Sequence, residues 1–187
     1  LVVGAVVAQA IVMGQSWLNT RLWEDEAFNL TVPLNMLRGL GYTSDGVLSG
    51  SVITPFDVRI STGPAVLVPV AGALAFGGDI LVLGRIVPLL YYVALLSALV
   101  VLGRRVGGRW AALVAFAAPL ILQTARVISP IQGPGDILGE IPAAALLAWA
   151  LVLLYRRPWL AGLIVGFALQ AKYIALLALP AFAIALL

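Results

Sequence analysis

Seven stretches of this chain carry no charge: residues 1–20, 60–78, 86–103, 110–125, 141–155, 158–171 and 173–187. Several approach the roughly 20 apolar residues that cross about 30 Å of hydrocarbon as a helix. None alternates in the manner of a barrel strand, so helices are the expected spanning form. Hydrophobic residues make up 63% of the chain and charged residues only 10%, far from a soluble domain. The expected fold is all-α: a polytopic transmembrane helix bundle with external juxtamembrane amphipathic helices.

The charges orient that bundle. Arg104, Arg105 and Arg109 form one short basic loop and Arg156 and Arg157 another, with no acid in either. The positive-inside rule places both in the cytoplasm. The expected spans are about 1–18, 80–102, 109–128, 137–155 and 158–187, the last broken near 172. Residues 19–79 then form one external segment, and 1–187 is the N-terminal part of one transmembrane domain. Residues 60–78, with Pro64, Pro69 and four glycines, are expected to lie along the interface rather than cross. This topology brings all eight acids, Glu24, Asp25, Glu26, Asp45, Asp57, Asp79, Asp136 and Glu140, to the outer face.

The remaining basic residues stand singly and form no common patch, so the net charge of +3 is not read as nucleic-acid binding. The chain opens at Leu1 inside one apolar run and closes at Leu187 inside another. It reads as part of a longer protein, integral to a bacterial plasma membrane. Cysteine and histidine are both absent, which leaves carboxylates, lysine and tyrosine for any acid–base chemistry.

Three groups of residues are candidates for function. Glu24-Asp25-Glu26 follows the first span and opens a stretch, 24–40, that reads as an amphipathic helix. Its apolar stripe is Ala27, Phe28, Leu30, Leu34, Leu37 and Leu40; Pro33 kinks it, Asn19 or Thr20 caps it, and Gly39 and Gly41 end it. Three adjacent acids either decorate a helix N-terminus or form a carboxylate site that takes a proton or holds a divalent cation. Asp136 and Glu140, spaced i, i+4, share a helix face after Gly133-Pro134-Gly135, as a cap or as a second carboxylate pair facing the first. Arg59, Arg85, Arg126 and Lys172 are isolated cations suited to snorkelling toward headgroups. Lys172 interrupts an apolar run, so either its helix breaks near 170–173 or it points into a polar cavity.

The segment WEDEAFNL, an external acidic pair directly after the first span, resembles the acidic motif of GT-C-fold glycosyltransferases. The stretch TPFDVRISTGPAVLVPVAGALAFGGDILVLGRIVPLL, then GDILGE and GLIVGFALQAKYIALLALP, are similar to segments of the same superfamily, which includes protein O-mannosyltransferases and lipid A aminoarabinose transferases. Gly63-Pro64 departs from the Pro-Pro pair of many members, and the likeness covers this chain but only part of a usual member.

The resemblance implies transfer of a sugar from a polyprenyl-phosphate donor to an acceptor hydroxyl at the extracytoplasmic face. Asp25 or Glu26 would be the catalytic carboxylate. Arg59, Arg126 or Lys172 would hold the donor phosphate; alternatively Glu24, Asp25, Asp136 and Glu140 would do so through a divalent cation (Mg or Mn). Membrane lipids, the donor and an acceptor are the expected partners. The competing reading is a non-catalytic integral subunit of a larger membrane complex that contacts other membrane subunits. A transporter with Lys172 and the acids along its pathway is a third.

Overall fold

The computed structural model describes residues 1–19, 21–22, 24–44, 52–59, 61–122 and 133–186. Among the described residues seven α-helices dominate: α1 (Val2–Leu18), α2 (Glu24–Leu37), α3 (Pro64–Leu74), α4 (Ile80–Leu122), α5 (Glu140–Leu153), α6 (Pro158–Ala171) and α7 (Leu179–Leu186). A 3-10 turn, Tyr173–Ala178, joins the last two. Between α2 and α3 lies a two-residue antiparallel ladder, β1 (Thr43–Ser44) on β2 (Thr54–Pro55). The chain is thus mostly helical, with a minimal β element between α2 and α3.

One helix, Ile80–Ile121, is long and apolar enough to cross a membrane. It is broken at Gly107 and Gly108, where Gly108 has φ 69, a conformation that L-residues with a Cβ avoid. Two arms therefore fold back on each other. Gly103 makes this possible, because an added Cβ would lie 2.7 Å from the Ala112 Cα. Gln9 of α1 ties the arms together: its Nε2 donates to the Phe116 carbonyl (2.8 Å) and its Oε1 accepts from the Tyr92 hydroxyl (2.7 Å). Buried side-chain amides commonly join helices in this way where apolar burial supplies no directional preference.

The helix α3 has one buried face: Val66, Leu67 and Val70 have no exposure at all and pack with Leu30, Val87, Ile137, Ala168 and Ala171, while Val68, Pro69 and Gly72 are exposed. Eleven residues make a helix about 16 Å long, shorter than the hydrocarbon layer. Pro64 starts it at a position where a missing N–H costs nothing. Pro69, inside it, leaves the Ala65 carbonyl without its helical donor, and the Tyr91 hydroxyl fills that place at 3.0 Å.

Gly63 fixes where α3 begins. Its N–H donates to the Ala171 carbonyl at 2.9 Å, satisfying an orphan group at the end of α6. A Cβ on Gly63 would collide with the Gln170 carbonyl oxygen, and one on Gly139 with that of Ala171. Proline at 63 has no N–H to donate, so the departure from Pro-Pro has a physical consequence. Gly63→Ala is expected to lower stability by about 1–3 kcal/mol through this backbone collision. Unfolding in mild detergent checks it; an unchanged midpoint would rule out the close approach.

Candidate functional site

The first turn of α2 carries the three acids, and they separate. Glu24 and Asp25 are exposed, whereas Glu26 is fully buried. Glu26 meets Arg85 in a bidentate ion pair, Nε to Oε1 at 2.8 Å and Nη2 to Oε2 at 2.7 Å. Arg85 also donates to the carbonyls of Ser16 (3.3 Å), Asn19 and Arg21 (2.9 Å). Glu26 Oε1 accepts in addition from the Ile137 N–H at 3.4 Å. One guanidinium therefore gathers the end of α1, the start of α2 and the start of α4. The sequence reading of Arg85 as a headgroup contact is corrected: its relative exposure is 1%.

The buried face of α2 is also not the expected apolar stripe. Glu26, Asn29, Leu30, Val32, Pro33 and Asn35 face inward, while Leu37 and Leu40 are exposed. The polar members are bonded. Asn29 Nδ2 donates to the Ile137 carbonyl (2.9 Å) and to Thr62 Oγ1 (3.0 Å), and its Oδ1 accepts from Ser61 Oγ (2.6 Å). Buried amides bonded through both nitrogen and oxygen, as Asn29 is, help to specify one arrangement of a core. Of the two expected caps of α2, Asn19 instead accepts from the Arg21 N–H at 2.9 Å, and Thr20 lies outside the described residues. The C-terminal end is as expected, with Gly39 at φ 76 and the Leu40 N–H returning to the Asn35 carbonyl at 2.9 Å.

Asp136 and Glu140 do not share a helix face. The helix α5 begins only at Glu140, and Asp136 sits in the preceding turn, where its Oδ2 accepts from the Gly133 N–H at 2.8 Å. Glu140 instead pairs with Lys172, Oε1 to Nζ at 2.9 Å. Lys172 stands where α6 ends, with an extended backbone (φ −151, ψ 122) that bridges Thr62. Of the two expectations for this lysine, the helix break is the one observed. Its backbone, bridged to Thr62, and the Glu26–Arg85 pair are joined through Thr62, Asn29 and Ile137 into one polar seam.

Arg59 lies apart from that pair. It is exposed and clasps Asp57, Nη2 to Oδ2 at 2.7 Å. Hydrogen bonds from the Arg59 side chain and N–H hold the Asp57 carboxyl down at about 2, from an ordinary 3.8. The depressed value means that this contact favours the fold above 3.8 and that its contribution is lost as the pH falls through about 2. Arg59→Gln should return the Asp57 titration, followed by carboxyl NMR shifts, toward 3.8; an unmoved midpoint would contradict the clasp. Arg126 lies outside the described residues.

The four-acid cation site does not assemble among the described residues: no group of three or more acids converges to hold a metal ion. Glu140 Oε1 is committed to Lys172 and Asp136 Oδ2 to a backbone N–H, so these residues do not fit that role in this structure. Beside the seam, Phe28, Phe56 and Tyr42 stack edge and tilt, with ring centroids 5.2 and 5.7 Å apart. Burial pushes the Tyr42 hydroxyl above its ordinary value of 10.0, and it has no hydrogen-bond partner among the described residues.

Sequence reasoning missed Arg85, Asn29, Ser61 and Thr62 as parts of this seam. A signal was present for two of them: Glu26 and Asn29 lie three apart on one helix face, and Arg85 breaks an otherwise apolar run. No family model, curated protein or solved structure matches the chain.

Proposed function

We propose that this chain belongs to a polytopic membrane glycosyltransferase that moves a sugar from a polyprenyl-phosphate donor to an acceptor hydroxyl at the extracytoplasmic face. The observation that carries the proposal is the division of labour within one helical turn. Glu26 is locked to Arg85 and cannot reach a substrate without breaking the core, while its neighbour Asp25 is exposed at the end of the helix that this pair holds rigid. A carboxylate presented on a fixed support is what a general base requires. The apolar residues exposed along α1, α4 and α6, among them Val3, Leu90, Val114 and Leu163, support a lipid surrounding.

In this mechanism Asp25 takes the proton of the acceptor hydroxyl as its oxygen attacks the anomeric carbon. The bond from that carbon to the phosphate oxygen breaks, its electrons leave with the polyprenyl phosphate, and the configuration inverts. The leaving group needs charge stabilisation more than protonation. Lys172 is the cation best sited for this, tied by its backbone to the seam that carries Glu26. Glu26 is a positioning residue.

A second reading is a non-catalytic subunit. It is favoured by the carboxylate that already occupies each described candidate cation, Glu140 on Lys172 and Asp57 on Arg59. Sugar transfer by the full-length parent protein in membranes, assayed over a panel of polyprenyl-phosphate donors, separates the two. Transfer that vanishes in Asp25→Asn supports the enzyme; no transfer from any donor supports the subunit.

A further inference from the structure

The basic turns at 104–109 and 156–157, separate in sequence, are neighbours in space. Arg105 Nη1 donates to the Val152 carbonyl at 2.6 Å, capping the last turn of α5. The Arg156 and Arg157 N–H groups both bond to the Leu153 carbonyl, one residue on. Gly103 meanwhile holds the two arms of α4 in backbone contact just before the turn. The two basic loops, read from the sequence as lying on one side of the membrane, thus meet at this end of the molecule.

Among the described residues no ion pair forms on these arginines. Residues 80–135 and 141–187 contain neither Asp nor Glu, and Glu140 lies about 18 Å away along α5, at 1.5 Å per residue from Val152. The side chains of Arg104, Arg109, Arg156 and Arg157 are exposed. Between them stand large exposed apolar and aromatic groups: Val106 at 87% exposure, Tyr155 at 78% and Trp159 at 71%. Arg109 lies over the Trp110 ring, 5.4 Å from its centroid. Cations alone would suit any polyanion. Cations interleaved with exposed indole and phenol rings suit a surface that is anionic above and apolar below.

We infer that this basic, aromatic end of the molecule is a binding site for anionic phospholipid headgroups, with the arginines on phosphate and the rings in the acyl boundary. The inference rests on a membrane setting but not on sugar transfer, and its test needs no activity. The full chain, purified in non-ionic detergent, is titrated with fluorescent phosphatidylglycerol and, separately, phosphatidylcholine. Phosphatidylglycerol should bind in preference, and its binding should weaken steeply with salt. Arg104→Gln, Arg109→Gln, Arg156→Gln and Arg157→Gln combined should reduce it, by roughly fivefold per arginine. Arg38→Gln, an exposed cation elsewhere, should leave it unchanged. Arg105 is left intact because it caps α5, and the salt dependence of the wild type tests the proposal even if the combined variant folds poorly. Equal binding of both lipids, salt-insensitive binding, or equal capture of a short RNA would overturn it.

Discussion

Arg85→Met is expected to destabilise the protein by about 3–5 kcal/mol, the cost of leaving a buried carboxylate without its partner. The loss falls on more than Glu26. The guanidinium also serves the carbonyls of Ser16, Asn19 and Arg21, and each buried acceptor left unmade costs further. Glu26→Gln should cost less, because Arg85 keeps those three carbonyls. The double variant, Glu26→Gln with Arg85→Met, should lose well under the sum of the two single losses, as expected for residues in direct contact. Denaturant unfolding in detergent measures all three. Because the pair is buried, these differences should be nearly independent of salt. Single variants within about 0.5 kcal/mol of wild type would remove the pair from its place as the junction of α1, α2 and α4.

Such a junction is difficult to foresee from a sequence. The helices α1, α2, α5 and α6 fall close to where apolar runs and turn residues suggest, because those signals are local. The pairing of Glu26 with Arg85 spans 59 positions, and no local rule connects them. Reading Arg85 as a headgroup contact followed from treating each cation alone. The polar face of α2 was hidden for a related reason. In a soluble helix the apolar stripe marks the buried side, but here Leu37 and Leu40 face outward while Asn29 and Asn35 are buried. In α3 the prolines mark a segment that is helical on one buried face only, and the Tyr91 hydroxyl, which no local rule anticipates, repairs the break left by Pro69. The break at Lys172 was legible because a charged residue in an apolar run permits few outcomes. Its partner, Glu140, was not, because the expected i, i+4 pairing with Asp136 assumed a helix that begins four residues too early.

Asp25→Asn is expected to lower sugar transfer by about 10²–10⁴-fold, the usual contribution of a general base, without lowering stability. Asp25 is exposed, and exchanging its carboxylate for an amide disturbs no described hydrogen bond or ion pair of the core. Glu26→Gln makes the informative contrast. It also lowers transfer, but by loosening the support of α2, so its activity and its unfolding midpoint should fall together. Glu24→Gln, exposed on the same turn, should change transfer by no more than a few fold, since two adjacent helical positions face different directions. The pattern across the three variants assigns the roles: activity lost without stability marks the base, and both lost together mark the positioning residue. If Asp25→Asn and Glu24→Gln transfer sugar equally well, the carboxylates serve only to begin the helix, where acids are favoured by its dipole, and the reacting base lies elsewhere.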